Sequence, residues 1–187
     1  MKVEQLIVSL TELEKLKTVE RGQNVGNRKE SSAEHSWSCL LIADLVIDHV
    51  EESLDRLKVF EYLLYHDVVE VYAGDAKFNN PEEMKLKQEK EEKALEKISS
   101  FLLNPDRFRR IMSEYEHRKT RESEFAKAID CIDSCVRNLN DENASNKDGF
   151  TEDLIRQKYW PHVSKFSITE ELFEVLMEKL IELDKVQ

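Results

Sequence analysis

The chain has 187 residues, 40% of them hydrophobic and 36% charged, with only 4 glycines and 3 prolines. That is the profile of one helix-rich unit with enough apolar material for a core. Thirty-nine acidic against 28 basic side chains give a formal charge of -11, which disfavours a nucleic-acid polymer as partner, because such a binder must neutralise a row of phosphates. No stretch reaches the roughly 18 consecutive apolar residues of a membrane span, and no basic-then-apolar leader opens the chain. Cys39, Cys131 and Cys135 leave one thiol unpaired in any disulfide scheme, so a reducing cytoplasm is the expected compartment.

Val3, Leu6, Ile7, Leu10, Leu13 and Leu16 recur at three- and four-residue steps and predict an amphipathic helix. Residues 18–33 lose that period in a polar run, a loop too long for an ordinary connector and therefore a candidate for function. Ser31 and Glu34 form a capping-box pattern ahead of an apolar helix over about 35–50. Residues 57–72 are the most apolar segment; Val68, Val69 and Val71 would suit a buried strand, but length and helical neighbours favour one buried helix. Asn80-Pro81 and Asn104-Pro105 are helix-start signals, predicting helices to about 103 and about 117. A helix over 122–139 carries Phe125, Ile129, Ile132 and Val136 on one stripe. A polar loop over 141–149, a short helix near 153–159 and a last one from 169 to about 185 complete the chain. In that last helix Leu172, Val175, Leu176, Leu180 and Leu183 form a stripe that fits intramolecular core or a dimer contact. The expected fold is all-α, a single domain over 1–187.

Between Tyr62 and Tyr72 every residue is apolar or aromatic except His66, Asp67 and Glu70. A buried ionised carboxylate costs several kcal/mol unless it is paired, hydrogen-bonded or bound to a cation, and no basic residue lies within a turn of these three. Helical spacing puts them on one side. They either lock the core through hydrogen bonds or share a site, and two further segments bear on the choice: Glu34-His35 after the polar loop, and Ala126-Lys127-Ala128-Ile129-Asp130 downstream.

With these residues in order, the sequence resembles the HD-domain metal-dependent phosphohydrolases, defined by a His, a later His-Asp doublet and a final Asp. Arg28-Lys29-Glu30-Ser31-Ser32-Ala33-Glu34-His35-Ser36 and His66-Asp67-Val68-Val69-Glu70-Val71-Tyr72-Ala73-Gly74-Asp75 are similar to the opening and central motifs of the 5′-deoxynucleotidase subfamily. The likeness runs from about 16 to 139 and leaves the helices over about 150–187 largely outside it. It implies an HD-type helical bundle with one divalent ion (Mn²⁺, Co²⁺, Fe²⁺, Ni²⁺, Zn²⁺ or Mg²⁺) held by His35, His66, Asp67 and Asp130, a donor set that does not choose among these metals. Glu70 and Asp75 are implied as the catalytic carboxylates, without separation of acid from base. Arg21 and Arg28 are the residues to bind a substrate phosphate, with Lys29 beside them.

The implied activity is hydrolysis of the 5′-phosphate of (deoxy)ribonucleoside 5′-monophosphates; a non-catalytic HD-fold module binding a nucleotide or protein, or a hydrolase of another phosphoester, is the alternative. Subfamily loops commonly carry a Trp near the arginine, whereas Arg21 is followed by Gly22, which leaves sugar selectivity open. A homodimer is a further implication. Asp133 is expected on the helix surface, His49, His117 and His162 as isolated residues, Trp37 and Trp160 in the core, and the cysteines as small buried residues rather than a zinc-thiolate site. Glu89 and Lys93 should form one of several four-residue ion pairs on a solvated helix. Lys77 is left unassigned.

Overall fold

A computed structural model describes residues 2–75, 81–142 and 151–186. Helix α1 (Lys2–Leu13) leads through a 3₁₀ turn, Glu14–Thr18, into two antiparallel strands, β1 (Glu20–Val25) and β2 (Arg28–Ser31). Then follow α2 (Ser32–Val46), α3 (Arg56–Tyr65), the single-turn α4 (Glu70–Ala73), α5 (Pro81–Ser99), α6 (Pro105–Glu116), α7 (Arg121–Asn140), α8 (Glu152–Val163) and α9 (Ser167–Glu182). The fold is helical apart from the hairpin.

Helix starts sit where the capping chemistry places them. Ser31 accepts from the Glu34 backbone N–H, and Glu34 accepts from the Ser31 N–H at 2.9 Å, which closes the capping box of α2. Asn104 caps α6 with Pro105 as its first residue, and Thr120 caps α7. The Asn80 start signal lies outside the described residues. The Glu89–Lys93 pair on α5 forms at 2.6 Å.

The longest helix, α7, is the axis of the core. Phe125, Ala126, Ala128 and Ile129 pack with α2, α3 and α6, and Cys131, Ile132 and Cys135 pack with α8 and α9 through Ile155, Phe173, Met177 and Leu180. A third cluster joins Val68 and Val69 to Ala94, Ile98, Phe108 and Met112 of α5 and α6. The α9 stripe divides: Leu180 is buried and Leu172 and Leu176 pack against the core, while Val175 and Leu183 are exposed.

Three expectations are corrected. The stretch expected as a loop is a hairpin closed by Gly26 at φ 58, with a register irregularity between Glu20 and Asn24. Its strands are polar on both faces, so no alternation marked them. The helix expected over 57–72 breaks at His66, where the chain tightens to i→i−3 bonds, Val68 N–H to Tyr65 O at 3.0 Å and Glu70 N–H to Asp67 O at 2.9 Å. Trp37 is 66% and Trp160 38% exposed rather than core. Positions 35, 39, 43 and 46 of α2 face inward and leave 37, 41 and 45 outward. Likewise the apolar side of α1 is mostly open, Val3 at 69% exposure, and the helix is held instead by Ser9 Oγ donating to Phe101 O at 2.8 Å.

Because the capping box fixes the entry of α2, Ser31→Ala should lower the unfolding free energy by about 1 kcal/mol, read as a lower urea midpoint at unchanged slope.

Candidate metal centre

Four elements deliver the ionisable side chains to one place. His35 sits near the start of α2; His66 closes α3 and Asp67 follows it; Glu70 opens α4; Asp130 and Asp133 lie one turn apart on α7. Gly74 at φ 75 ends α4 and releases Asp75, which accepts a hydrogen bond from the Gly22 backbone.

The His35 imidazole is fully buried with a carboxylate at each nitrogen, Asp133 Oδ2 2.6 Å from Nδ1 and Asp130 Oδ1 3.1 Å from Nε2. Asp67 Oδ2 lies 3.7 Å from the same Nε2. Burial and the nearby Arg21 charge work against an imidazolium, yet Cys39, Asp130 and Asp133 hold the His35 pKa well above its ordinary value. The acids therefore call for positive charge at this point. Asp130 Oδ2 accepts from Tyr115 Oη at 3.1 Å and from Lys127 Nζ at 2.6 Å. Burial raises the Asp130 pKa, but Lys127 and His35 outweigh it and keep the carboxylate ionised.

At His66 the two nitrogens differ. Nδ1 donates to the Leu63 carbonyl at 2.9 Å, which leaves the lone pair on Nε2. That Nε2 is buried and makes no hydrogen bond, although Asp67 Oδ1 is 3.3 Å away. Burial lowers the His66 pKa and favours the neutral ring, the form that binds metals. An orphaned lone pair, a second imidazole 5.2 Å away between ring centroids, and the carboxylates of Asp67 and Asp130 form a donor set that fits a divalent cation. Cys39 Sγ lies 3.6 Å from His35 Nε2 and joins the same cluster of possible donors.

Arg21 is delivered by β1. Its Nη1 donates to Asp67 Oδ2 at 3.0 Å, and its Nε lies 3.5 Å from Oε2 of the buried Glu30 on β2. Glu70 is buried and accepts from Ser32 Oγ at 2.6 Å. Burial, with Asp67 adding its repulsion, pushes the Glu70 carboxyl up to about 8, and Arg21 only partly offsets this. Arg21, His66, Asp67, Glu70, Asp75 and Asp130 all line one cavity of about 270 Å³.

Arg28 is not brought there. It is exposed and forms a fork with Glu34, while Lys29 Nζ donates to Gly22 O at 2.6 Å. Asp133, expected on the surface, is 1% exposed because it binds the far nitrogen of His35 and accepts from Ser38 Oγ. His162, read as isolated, lines the cavity. Sequence reasoning also missed Glu30, Ser32 and Tyr115. The three-residue step from Asp130 to Asp133 was the one local signal, and it bears on Asp133 alone. Lys77 lies outside the described residues.

The HD domain family model matches residues 13–166. The predicted metal-dependent phosphohydrolase of Magnetospirillum magnetotacticum has a solved structure similar to this one, with a TM-score of 0.86 at 25% identity over 99% of this chain and 96% of that one. An HD-domain phosphohydrolase of Listeria innocua shares the fold, with a TM-score of 0.62 at 19% identity over 95% of this chain and 86% of that one. A 5′-deoxynucleotidase of Xenopus laevis is 26% identical over 131 residues, 68% of this chain and 63% of that protein, so the match spans less than two thirds of that relative. No helix among the described residues is long and apolar enough to cross a membrane.

In protein stripped of divalent ions, Glu70 keeps its proton to about pH 8 when folded but only to 4.5, its ordinary value, when unfolded. The folded state binds the extra proton, so this group's contribution to stability falls as pH rises through that window. Glu70→Gln should match wild type near pH 5 and exceed it by about a few kcal/mol at pH 8. Urea unfolding in chelator at both pH values measures this; a gap independent of pH contradicts it.

Proposed function

Since this chain belongs to the HD-domain family, we propose that it is a metal-dependent phosphohydrolase acting on nucleoside 5′-monophosphates, deoxyribonucleotides included, and releasing the nucleoside and orthophosphate. The observation that carries the reading is the buried, unpartnered Nε2 of His66, set among His35, Asp67 and Asp130. The deoxynucleotide part of the reading draws on the Xenopus laevis relative.

His35, His66, Asp67 and Asp130 would hold one divalent ion, with Asp133 fixing the tautomer and orientation of His35 from behind. Such an ion, when bound, polarises a phosphoryl group and makes water a stronger nucleophile at neutral pH. The rest falls to the chain. Arg21, held at Nη1 by its hydrogen bond to Asp67 and with Glu30 3.5 Å from its Nε, turns its remaining N–H groups to the phosphate oxygens, a task suited to its planar fork. As water adds to phosphorus and the bond to O5′ breaks, one proton leaves the water and one reaches the nucleoside oxygen. Glu70 and Asp75 line the cavity, and on this reading they exchange both protons. Both are raised by burial, Glu70 to about 8, so one of them can hold a proton at neutral pH. A purely structural role leaves the orphaned nitrogen and the buried Glu70 without a purpose.

Phosphate release from a panel of nucleoside 5′-monophosphates with added Mn²⁺, Co²⁺ or Mg²⁺ tests the proposal directly. Asp67→Ala should abolish turnover while helical circular dichroism is retained; full metal-dependent activity in that variant rejects the assignment. Asp133→Asn should weaken metal binding by roughly 10- to 100-fold, measured by titrating the activating metal against competing chelator.

A further inference from the structure

The cavity has lining residues that the chemistry above does not use. Arg118, following α6, and Lys158 and His162, one turn apart on α8, line it beside Lys127. Lys127 is engaged by Asp130, and Glu91, another lining acid, pairs with Lys87 at 3.5 Å. Arg118 and Lys158 meet no carboxylate among the described residues, although Glu116 also lines the cavity. In a chain with 39 acidic side chains, where Arg56, Arg107, Arg121 and Arg156 all pair with acids, one pocket is lined by two cations with no carboxylate partner among the described residues.

The backbone supports a role for the Arg118 side chain. Helix α6 ends in a Schellman pattern, Arg118 N–H to Tyr115 O at 3.2 Å and Lys119 N–H to Glu114 O at 3.0 Å, and this puts Arg118 in the left-handed region at φ 51. Glycine is the usual occupant there, because a Cβ is crowded in that conformation. Asp184 has the same conformation, but Asp tolerates it better than a long side chain does. An arginine kept under local strain points to something its guanidinium does. That guanidinium lies 4.9 Å from the Tyr115 ring centroid and donates from Nη1 to the Tyr115 carbonyl, while its Nε is buried without a partner. The Tyr115 ring in turn lies 5.5 Å from the His66 ring, so the cation stands one aromatic ring away from the candidate metal centre. His162 registers the same field: burial, then Lys127, Arg118 and Lys165, push its pKa down to about 4.

We propose that Arg118 and Lys158 form an anion subsite for a second phosphate of the substrate, so that the preferred substrates are nucleotides bearing a phosphate beyond the one removed. The proposal rests on the phosphohydrolase reading, which places the first phosphate at Arg21. The subsite takes no part in bond breaking; it binds and orients.

Adenosine 3′,5′-bisphosphate and adenosine 5′-monophosphate are the probes, titrated calorimetrically into the metal-free full chain and compared as kcat/KM with Mn²⁺. Wild type should favour the bisphosphate by about tenfold or more in both measurements, the size expected of one added charge-assisted contact. Arg118→Gly together with Lys158→Gln should bring the ratio to about one. Arg118→Gly alone should raise the melting temperature, because the backbone strain is relieved, which shows that the variant folds. Equal affinities in wild type, or a preference that survives the double substitution, overturns the subsite. If neither nucleotide releases phosphate with any divalent ion while the binding preference and its loss persist, hydrolysis is rejected and the subsite stands.

Discussion

His35 is gripped at both ring nitrogens by carboxylates of α7, Asp133 at 2.6 Å and Asp130 at 3.1 Å, so one buried ring sets the register of α2 against α7. The rest of the site is arranged around that junction. His66 meets it at the end of α3, and Tyr115 of α6 reaches Asp130 from the other side. The hairpin adds Arg21 through Asp67. Charges that would be costly singly are tolerable here because each is answered by another or held ready for a cation.

The cavity holds charge of both signs. Asp67, Glu70, Asp75 and Asp130 line it with Arg21, and so do Arg118 and Lys158, which have no carboxylate partners among the described residues. A net charge of -11 sums over the whole chain and does not say how charge is distributed within this pocket. An anion excluded by the bulk field can still find a local host.

What could be read from the chain follows the range of the forces involved. Helix starts were legible because capping is settled within four residues, as at Ser31 with Glu34 and at Asn104 with Pro105. His66, Asp67 and Glu70 stood out because polar groups in an apolar run are anomalous wherever the chain folds, and matching them with His35 and Asp130 required the family's motif order. The hairpin was not legible, since polar strands have no period. Nor was the difference between Arg21 and Arg28, two cations of similar local context: one is caught by Asp67, 46 residues away, and the other by Glu34, six residues away. Asp133 was misplaced for the same reason, because its partner is 98 residues distant. The break at His66 carries no proline or glycine to announce it.

Hairpin and α7 are also joined directly. Gln23 Nε2 donates to Ser134 O and Asn138 Oδ1, both at 2.8 Å, and Asn24 Nδ2 donates to Asp141 at 2.8 Å. The same helix therefore anchors the arginine-bearing strand, presents two acids to His35, and supplies the seam between two hydrophobic clusters. Any displacement of α7 is therefore felt at the arginine-bearing strand, at the His35 ring and in the interior together, so the pocket has no part that can be reshaped independently of that helix.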